Sequence, residues 1–236
     1  MKIIGIQKQT LLDYPGKISA TLFTPGCNFR CPFCHNFQIV LPDDNTKISN
    51  FAKIRNFFVE RKNFLDAVTI TGGEPTLHPN LPEVIKDLKG MGYLVKLDTN
   101  GTNPSMLMKL LNSGMLDYVA MDIKTSLDFD KYNKAVGNVL TNEMFENIKK
   151  SISIIMDSGI DYEFRTTVVP TLVDLDDILN ITSYIKGAKN YALQKFESEN
   201  ANTDELRNTK AYSKEQIEEV VSKIKDIGHI DIRGYL

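Results

Sequence analysis

The sequence lacks a long apolar run. Its N-terminus, MKIIGIQKQTLLDYPGK, has no stretch of signal-peptide type, and no later segment reaches transmembrane length. The chain is therefore expected in the cytoplasm, with no membrane partner. Strong charge of either sign is missing too: the net charge is −2, which gives no electrostatic reason to expect nucleic acid or an acidic membrane surface as a partner. Low-complexity tracts, charge blocks and obvious linkers are absent. No strand-like run is followed by GxGxxG or GxxxxGK[ST], so a nucleotide-phosphate loop is unsupported. Cysteine is scarce, and all three cysteines, Cys27, Cys31 and Cys34, fall within eight residues. An odd, tightly clustered set in a reducing compartment argues against a disulfide framework and for metal.

What is present is ordinary for a soluble globular protein: 236 residues, 42% hydrophobic and 25% charged. That length holds one α/β barrel-like domain or two small ones. Apolar, β-branched runs read as strands near Ile18–Phe23, Ala67–Ile70, Tyr93–Leu97, Tyr118–Met121, Tyr162–Val169 and Tyr191–Gln194, with a short last one near Ile230–Ile232. Helices lie between them. Asn80, Asn103, Asp174 and the Ser213/Gln216 capping box mark starts, and Gly90, Gly114 and Gly159 mark ends. Their apolar stripes are core. Alternating strands and helices imply a parallel sheet with right-handed crossovers. About six units are too few for a closed eight-fold barrel, so a partial, open barrel is expected, with a flat doubly wound sheet as the alternative. The reading is one domain over residues 1–236, with a barrel core at about 17–197 and a C-terminal helix and short strand at about 213–233.

The cysteines lie in Thr24-Pro-Gly-Cys27-Asn-Phe-Arg-Cys31-Pro-Phe-Cys34-His35-Asn36, directly after the first of these strands. Iron–sulfur clusters take thiolate ligands, and three thiolates on a four-iron cubane leave one iron open. An open coordination position is where a substrate or cofactor binds a metal. The alternative is a structural zinc with His35 as fourth ligand. Adjacent Cys34 and His35 converge poorly on one ion, and no second ligand pair exists.

CxxxCxxC with an aromatic, Phe33, before the last cysteine resembles the signature of the radical S-adenosylmethionine (SAM) superfamily. The stretch from Thr10-Leu-Leu-Asp13-Tyr-Pro15-Gly16 to Cys34-His35-Asn36 is similar to the activating proteins of anaerobic ribonucleoside-triphosphate reductases, relatives of the pyruvate formate-lyase activating enzyme. The resemblance extends to about Phe196. It implies a partial (β/α)6 barrel of the radical SAM type, in which Cys27, Cys31 and Cys34 hold a [4Fe–4S] cluster and SAM chelates the open iron. Phe33 and His35 join the cofactor site by the same resemblance.

Polar residues at the strand ends follow suit. Gly72-Gly73-Glu74-Pro75 ends the second strand; two glycines let backbone approach a ligand and leave its N–H and C=O groups free. Alone it reads as a turn; by resemblance it receives SAM's ammonium. Asp98-Thr99-Asn100-Gly101 ends the third strand and Asp122-Ile-Lys124 the fourth. In isolation Asp98 is a helix cap, and Asp122 and Lys124 a surface ion pair. The resemblance gives these residues the SAM carboxylate, with a monovalent cation between the carboxylates. Arg165, in an apolar run, needs an anion: an Asp or Glu, or by resemblance SAM's carboxylate or ribose. The histidine that the pyruvate formate-lyase branch carries after the sixth strand is absent at Gln194-Lys195-Phe196-Glu197. His78 and His229 are isolated.

The resemblance thus implies a radical SAM activase. Reduced by a donor such as flavodoxin or ferredoxin, it would cleave SAM to methionine and a 5′-deoxyadenosyl radical and abstract hydrogen from a glycine of a glycyl-radical enzyme, anaerobic ribonucleoside-triphosphate reductase above all. The rivals are a radical SAM enzyme acting on a small molecule, such as a 7-carboxy-7-deazaguanine synthase-like enzyme, and a metal-stabilised binding module. Thr10–Gly16 is expected to border the barrel's opening rather than fill its core.

Overall fold

The structure, a computed structural model, describes residues 1–43 and 46–235. The strands are β1 (Lys2–Ile3), β2 (Gly5–Thr10), β3 (Ser19–Thr24), β4 (Ser49–Asn50), β5 (Ala67–Gly72), β6 (Leu94–Thr99), β7 (Tyr118–Asp122), β8 (Asp161–Val168), β9 (Asn190–Lys195) and β10 (His229–Arg233). Helices α1 (Phe37–Val40) and α2 (Phe51–Arg61) lie between β3 and β5, α3 (Leu81–Gly90) before β6, and α4 (Pro104–Asn112) before β7. α5 (Phe129–Ala135) and α6 (Asn142–Met156) precede β8, α7 (Leu175–Tyr184) precedes β9, and α8 (Asp204–Arg207) and α9 (Lys214–Val221) precede β10.

One sheet takes the order β10-β9-β8-β7-β6-β5-β3-β2, parallel throughout except for β2, which runs against β3. Every strand expected from the sequence is in it. β1 and β4 form a separate antiparallel pair.

Strand parity decides between the two expected architectures. Leu22, Ile70, Leu97, Met121, Phe164 and Leu193 share one continuous core with helical Ile85, Leu107, Ile152, Ile178 and Ile217. The opposite parity carries Thr21, Thr69, Lys96, Asp98, Asp122, Glu163 and Arg165. A small apolar group, Tyr14, Ala67, Leu94, Tyr118 and Ala120, lies at its base. A doubly wound sheet has helices on both faces, so both parities are apolar. Here the helices cover one face and the other is polar, which makes the sheet an open, partial barrel. The apolar runs were legible; the polar parity inside them was not read.

The turn at Thr10–Gly16 departs from expectation: it closes the base instead of bordering the mouth. Lys96 Nζ donates to the Asp13 carbonyl at 2.7 Å, the Thr69 hydroxyl to the same oxygen at 3.2 Å, and the Thr21 hydroxyl to Asp13 Oδ2 at 2.6 Å. Tyr14 is 6% exposed and packs on Tyr118, ring centroids 5.8 Å apart. Its neighbours Ala67, Leu94 and Tyr118 are the first residues of β5, β6 and β7.

Helix starts mostly follow the sequence. Asn103 accepts the Met106 N–H, and Ser213 and Gln216 form the reciprocal box. Asn80 makes no side-chain cap, so α3 starts on Pro82 and on its buried face of Leu81, Val84, Ile85 and Leu88. Among the described residues no helix is long and apolar enough to cross a membrane.

Tyr14→Ala is expected to destabilise the fold by about 3 kcal/mol, the usual cost of emptying a buried aromatic site. A denaturant midpoint at unchanged m-value measures it, and a loss below about 0.5 kcal/mol, the range of a surface substitution, would show that the turn does not close the base.

Candidate active site

The parallel strands end together, and their C-terminal ends open into a cavity of about 430 Å³. Every site residue expected from the sequence lines it: Cys27, Cys31, Phe33, Cys34, His35, Gly72, Gly73, Glu74, Asp98, Thr99, Asn100, Asp122, Lys124 and Arg165.

The cysteine loop leaves β3 and is clasped by backbone. Gly73 N–H donates to the Thr24 carbonyl and Glu74 N–H to the Gly26 carbonyl, both at 2.8 Å; Arg30 N–H reaches Val136 and Asn202 N–H reaches Pro32, both at 2.9 Å. Gly73 thus spends its N–H on the loop and not on a ligand. A Cβ at Gly73 would collide with the Gly26 carbonyl oxygen, and one at Gly72 with the Thr24 backbone. They are glycine because the cysteine loop lies against them.

Glu74 is 1% exposed. Its Oε1 accepts from the Thr76 N–H and hydroxyl and, at 2.8 Å, from the Thr99 hydroxyl; Oε2 accepts the Asn100 N–H at 2.7 Å. Burial raises its pKa, against the pull of these donors. With both oxygens engaged, Glu74 ties the end of β5 to that of β6, and this is its visible work.

Beside the cysteines lies an ion network. Arg165 bridges both aspartates, Nε to Asp122 Oδ1 at 2.8 Å and Nη1 to Asp98 Oδ2 at 3.2 Å. Lys124 Nζ lies 2.9 Å from Asp122 Oδ2 and Lys96 Nζ 2.9 Å from Asp98 Oδ1. Burial pushes Asp122 up, but Arg165 and Lys124 outweigh it and hold the carboxyl well below the usual range. Asp98 is likewise held low by Arg165 and Lys96 against burial. Lys96 is the cation against Asp98 Oδ1, and it also donates to the Asp13 carbonyl. Three cations thus face two carboxylates, and the surplus is Lys124, which also stands over Phe33 at 5.9 Å.

Sequence reasoning missed Lys96 and the part played by Asp13, which also lines the cavity together with Phe23, Thr167 and Gln194. Lys96 was findable: it stands two before Asp98 and so shares its face of β6. Of the isolated histidines, His78 sets a ring nitrogen 3.0 Å from the Pro25 carbonyl, behind the cysteine loop, and His229 opens β10.

The family model of the radical SAM superfamily matches residues 21–185, from β3 through α7. The chain belongs to the radical SAM superfamily. Within it, the chain is 36% identical over 208 residues to a protein of Methanocaldococcus jannaschii assigned by name to the glycyl-radical enzyme activating enzymes; the match covers 87% of this chain and 84% of that one. It is 27% identical to the pyruvate formate-lyase-activating enzyme of Clostridium pasteurianum, over 96% and 98% of the two chains. Among solved structures, Streptococcus suis SuiB bound to its precursor peptide SuiA shares the fold, with a TM-score of 0.67 at 14% identity, over 91% of this chain and 48% of that one.

The superfamily's [4Fe–4S] cluster and SAM fit the residues present. All three cysteines line one cavity, and three thiols there are the donor type that an iron–sulfur core takes. His35 sits exposed on the rim instead of completing a ligand set. Burial pushes the Cys27 thiol up to about 11 and the Cys31 thiol to about 12, while Lys124 pulls both down; coordination deprotonates a thiol outright. Cys27→Ala, Cys31→Ala and Cys34→Ala are each expected to abolish cluster absorbance after anaerobic reconstitution. Retention in any one would remove that residue from the ligand set.

The Arg165 bridge has a pH signature. Asp122 is depressed in the folded state, so its contribution to stability is present above the unfolded carboxylate pKa of about 3.9 and is lost as pH falls through the folded value. Arg165→Met removes the guanidinium that depresses it and leaves Lys96 and Lys124 as the remaining cations beside the two carboxylates, at a cost of about 2 kcal/mol near neutral pH. Denaturant titrations from pH 7 to 3 should show the wild type losing its advantage over Arg165→Met on the acid side. A constant difference across that range would mean that Arg165 stabilises by packing alone.

Proposed function

We propose that the chain is a glycyl-radical enzyme activase: it holds SAM beside the cluster and delivers the resulting radical to one glycine Cα–H of a partner protein, with anaerobic ribonucleoside-triphosphate reductase as the partner. The observation that carries this reading is the near full-length similarity to two activating enzymes, together with the cavity at the strand ends of this chain. The ribonucleotide-reductase branch is supported by Thr10–Gly16 and by Gln194, which lines the cavity at the end of β9 where the other branch carries a histidine just beyond. When bound, the cluster supplies one electron that cleaves SAM into methionine and a 5′-deoxyadenosyl radical.

The chain's own residues bind and orient. Lys124 and Arg165 are cations at the mouth for SAM's carboxylate, and Asp98 Oδ1 keeps acceptor capacity for a donor. Phe33, buried next to Lys124, excludes water on the cysteine side, and His35 stands at the rim. Dryness matters, because a radical that abstracts unreactive hydrogens must meet its target before solvent does. A flavodoxin or ferredoxin in the cytoplasm is the proposed electron donor, and the C-terminal helix and β10 belong to the same single unit. A monovalent cation between Asp98 and Asp122 is not needed to compensate the two carboxylates, since Arg165 already bridges them. Replacing Na⁺ and K⁺ by a bulky organic cation is therefore expected to leave SAM affinity within about twofold; a tenfold loss, about 1.4 kcal/mol, would put an ion there.

The partner is tested by anaerobic incubation with SAM, a reductant and a reductase deuterated at its candidate glycine. The expected outcome is a glycyl signal in EPR and deuterated 5′-deoxyadenosine in stoichiometric amount. If a small metabolite alone drives 5′-deoxyadenosine formation and is itself converted, the protein is a metabolite enzyme.

A further inference from the structure

We infer that Asn100 is a positioning residue for the metal centre: its side-chain amide donates a hydrogen bond to the Cys27 sulfur and thereby raises the reduction potential of the cluster bound there. The inference rests on the radical SAM reading of the cysteine motif and assigns Asn100 to the sulfur side of the site, whereas the resemblance places it with SAM.

The geometry leaves the amide little choice of orientation. Asn100 Oδ1 accepts the Thr102 N–H at 3.0 Å and the Thr102 hydroxyl at 2.7 Å. The Thr102 hydroxyl in turn accepts from Asn28 Nδ2 at 2.8 Å, so its own hydrogen is available for Asn100. Asn100 Nδ2 then donates to Asn28 Oδ1 at 2.9 Å and lies 3.8 Å from Cys27 Sγ. Asn28, Thr102 and Asn100 form a closed ring in which every donor meets an acceptor. A flipped Asn100 amide would set NH₂ against the Thr102 N–H and oxygen against Asn28 Oδ1 and the sulfur, so the ring fixes which end faces Cys27. The backbone holds the residue as firmly, since Asn100 N–H is bound by buried Glu74 at 2.7 Å. Asn100 is 5% and Thr102 7% exposed, so water does not replace these bonds freely.

When Cys27 serves as a thiolate ligand, it can only accept. Asn28 Oδ1, 3.9 Å from the sulfur, then offers it nothing, and the donors that face it are Phe29 N–H at 3.4 Å and Asn100 Nδ2. Hydrogen bonds to cluster sulfurs favour the more electron-rich, reduced state and so raise the potential. The Phe29 bond is backbone and local to the loop. The Asn100 bond comes from the end of β6, the segment that also carries Asp98 and Thr99, so sulfur electronics and the SAM side share one rigid turn.

The measurement is an EPR-monitored redox titration of reconstituted protein without SAM, alongside iron and sulfide content. For Asn100→Ala the one-electron reduction constant is expected to fall about tenfold, equal to 59 mV more negative. Thr102→Val, which keeps the amide but removes the hydroxyl that orients it, should shift in the same direction by less. Asn103→Ala, which removes the cap of α4 and a bond to the Thr76 carbonyl but none to the ring or the sulfur, should leave the potential unchanged. Loaded wild type and Asn100→Ala agreeing within twofold would overturn the inference. Should Asn100→Ala fail to hold a cluster, Thr102→Val decides: a negative shift supports the inference and none overturns it. If wild type itself takes up no four-iron cluster, it is the cysteine-motif reading that fails.

Discussion

A half-buried guanidinium between two half-buried carboxylates is the constraint on which the rest of the site depends. Interior charges are tolerated only when paired and hydrogen-bonded, and Arg165 meets that condition by contacting residues of two other strands at once. The register explains how. Asp122 is level with Arg165 on the neighbouring strand, whereas Asp98 lies two strands away from β8, level with Ala120 on the intervening one. Adjacent strands are roughly 4.8 Å apart, so the guanidinium must lean across β7 to reach Asp98. The methyl of Ala120 leaves room for that. A lysine at position 165 could pair with one aspartate as a point charge but could not present the planar fork that spans both. The network also favours a curved sheet, because inward curvature brings the inner side chains of β6 and β8 together.

The cysteine loop depends on the same strand ends. Glu74 joins β5 to β6, the Gly72–Gly73 turn seats the loop backbone, and Asn202 from beyond β9 donates its N–H to the Pro32 carbonyl and its side-chain amide to the Cys34 carbonyl. Gly137 adds a further close approach, with the Arg30 carbonyl where a Cβ would be. A loop tied to β5, to the end of α5 and to the segment after β9 has little freedom of its own. Its three sulfurs are therefore placed by the barrel as a whole, and a substitution far along the chain, at Asn202 or Gly137, acts on the cysteine loop.

Much of this was legible from residues alone. The cysteine spacing, the polar residues closing successive strands and the strand–helix alternation located the cavity, because chemistry at strand ends follows from where a parallel barrel opens. Other features left weak traces. β2, GIQKQT, alternates too poorly to read as a strand; it is an edge strand with Gln7, Lys8 and Gln9 exposed, held by main-chain bonds to β3. The seat that Gly73 makes for the cysteine loop was not legible, because a glycine that admits a ligand and one that admits another stretch of backbone look identical in sequence. Asp13 and Lys96 meet across 83 residues of chain, a pairing that local periodicity does not contain.

Strand parity finally separates stability from chemistry in this molecule. The parity that faces the helices carries the continuous apolar core, where a large-to-small change costs about 2–5 kcal/mol. The parity that faces inward carries threonines, lysines and carboxylates whose bonds largely replace bonds to water, so their net stabilisation is near 1 kcal/mol each. The inner face can therefore be shaped by what it must hold. Arg165 and Asp122 are the exception, because removing one partner strands the other's charge in the interior. The residues most exposed to selection for ligand geometry are thus also the ones whose loss threatens the fold. Lys124 differs: it is bound to the network only through Asp122, so its loss leaves both Arg165 pairs in place.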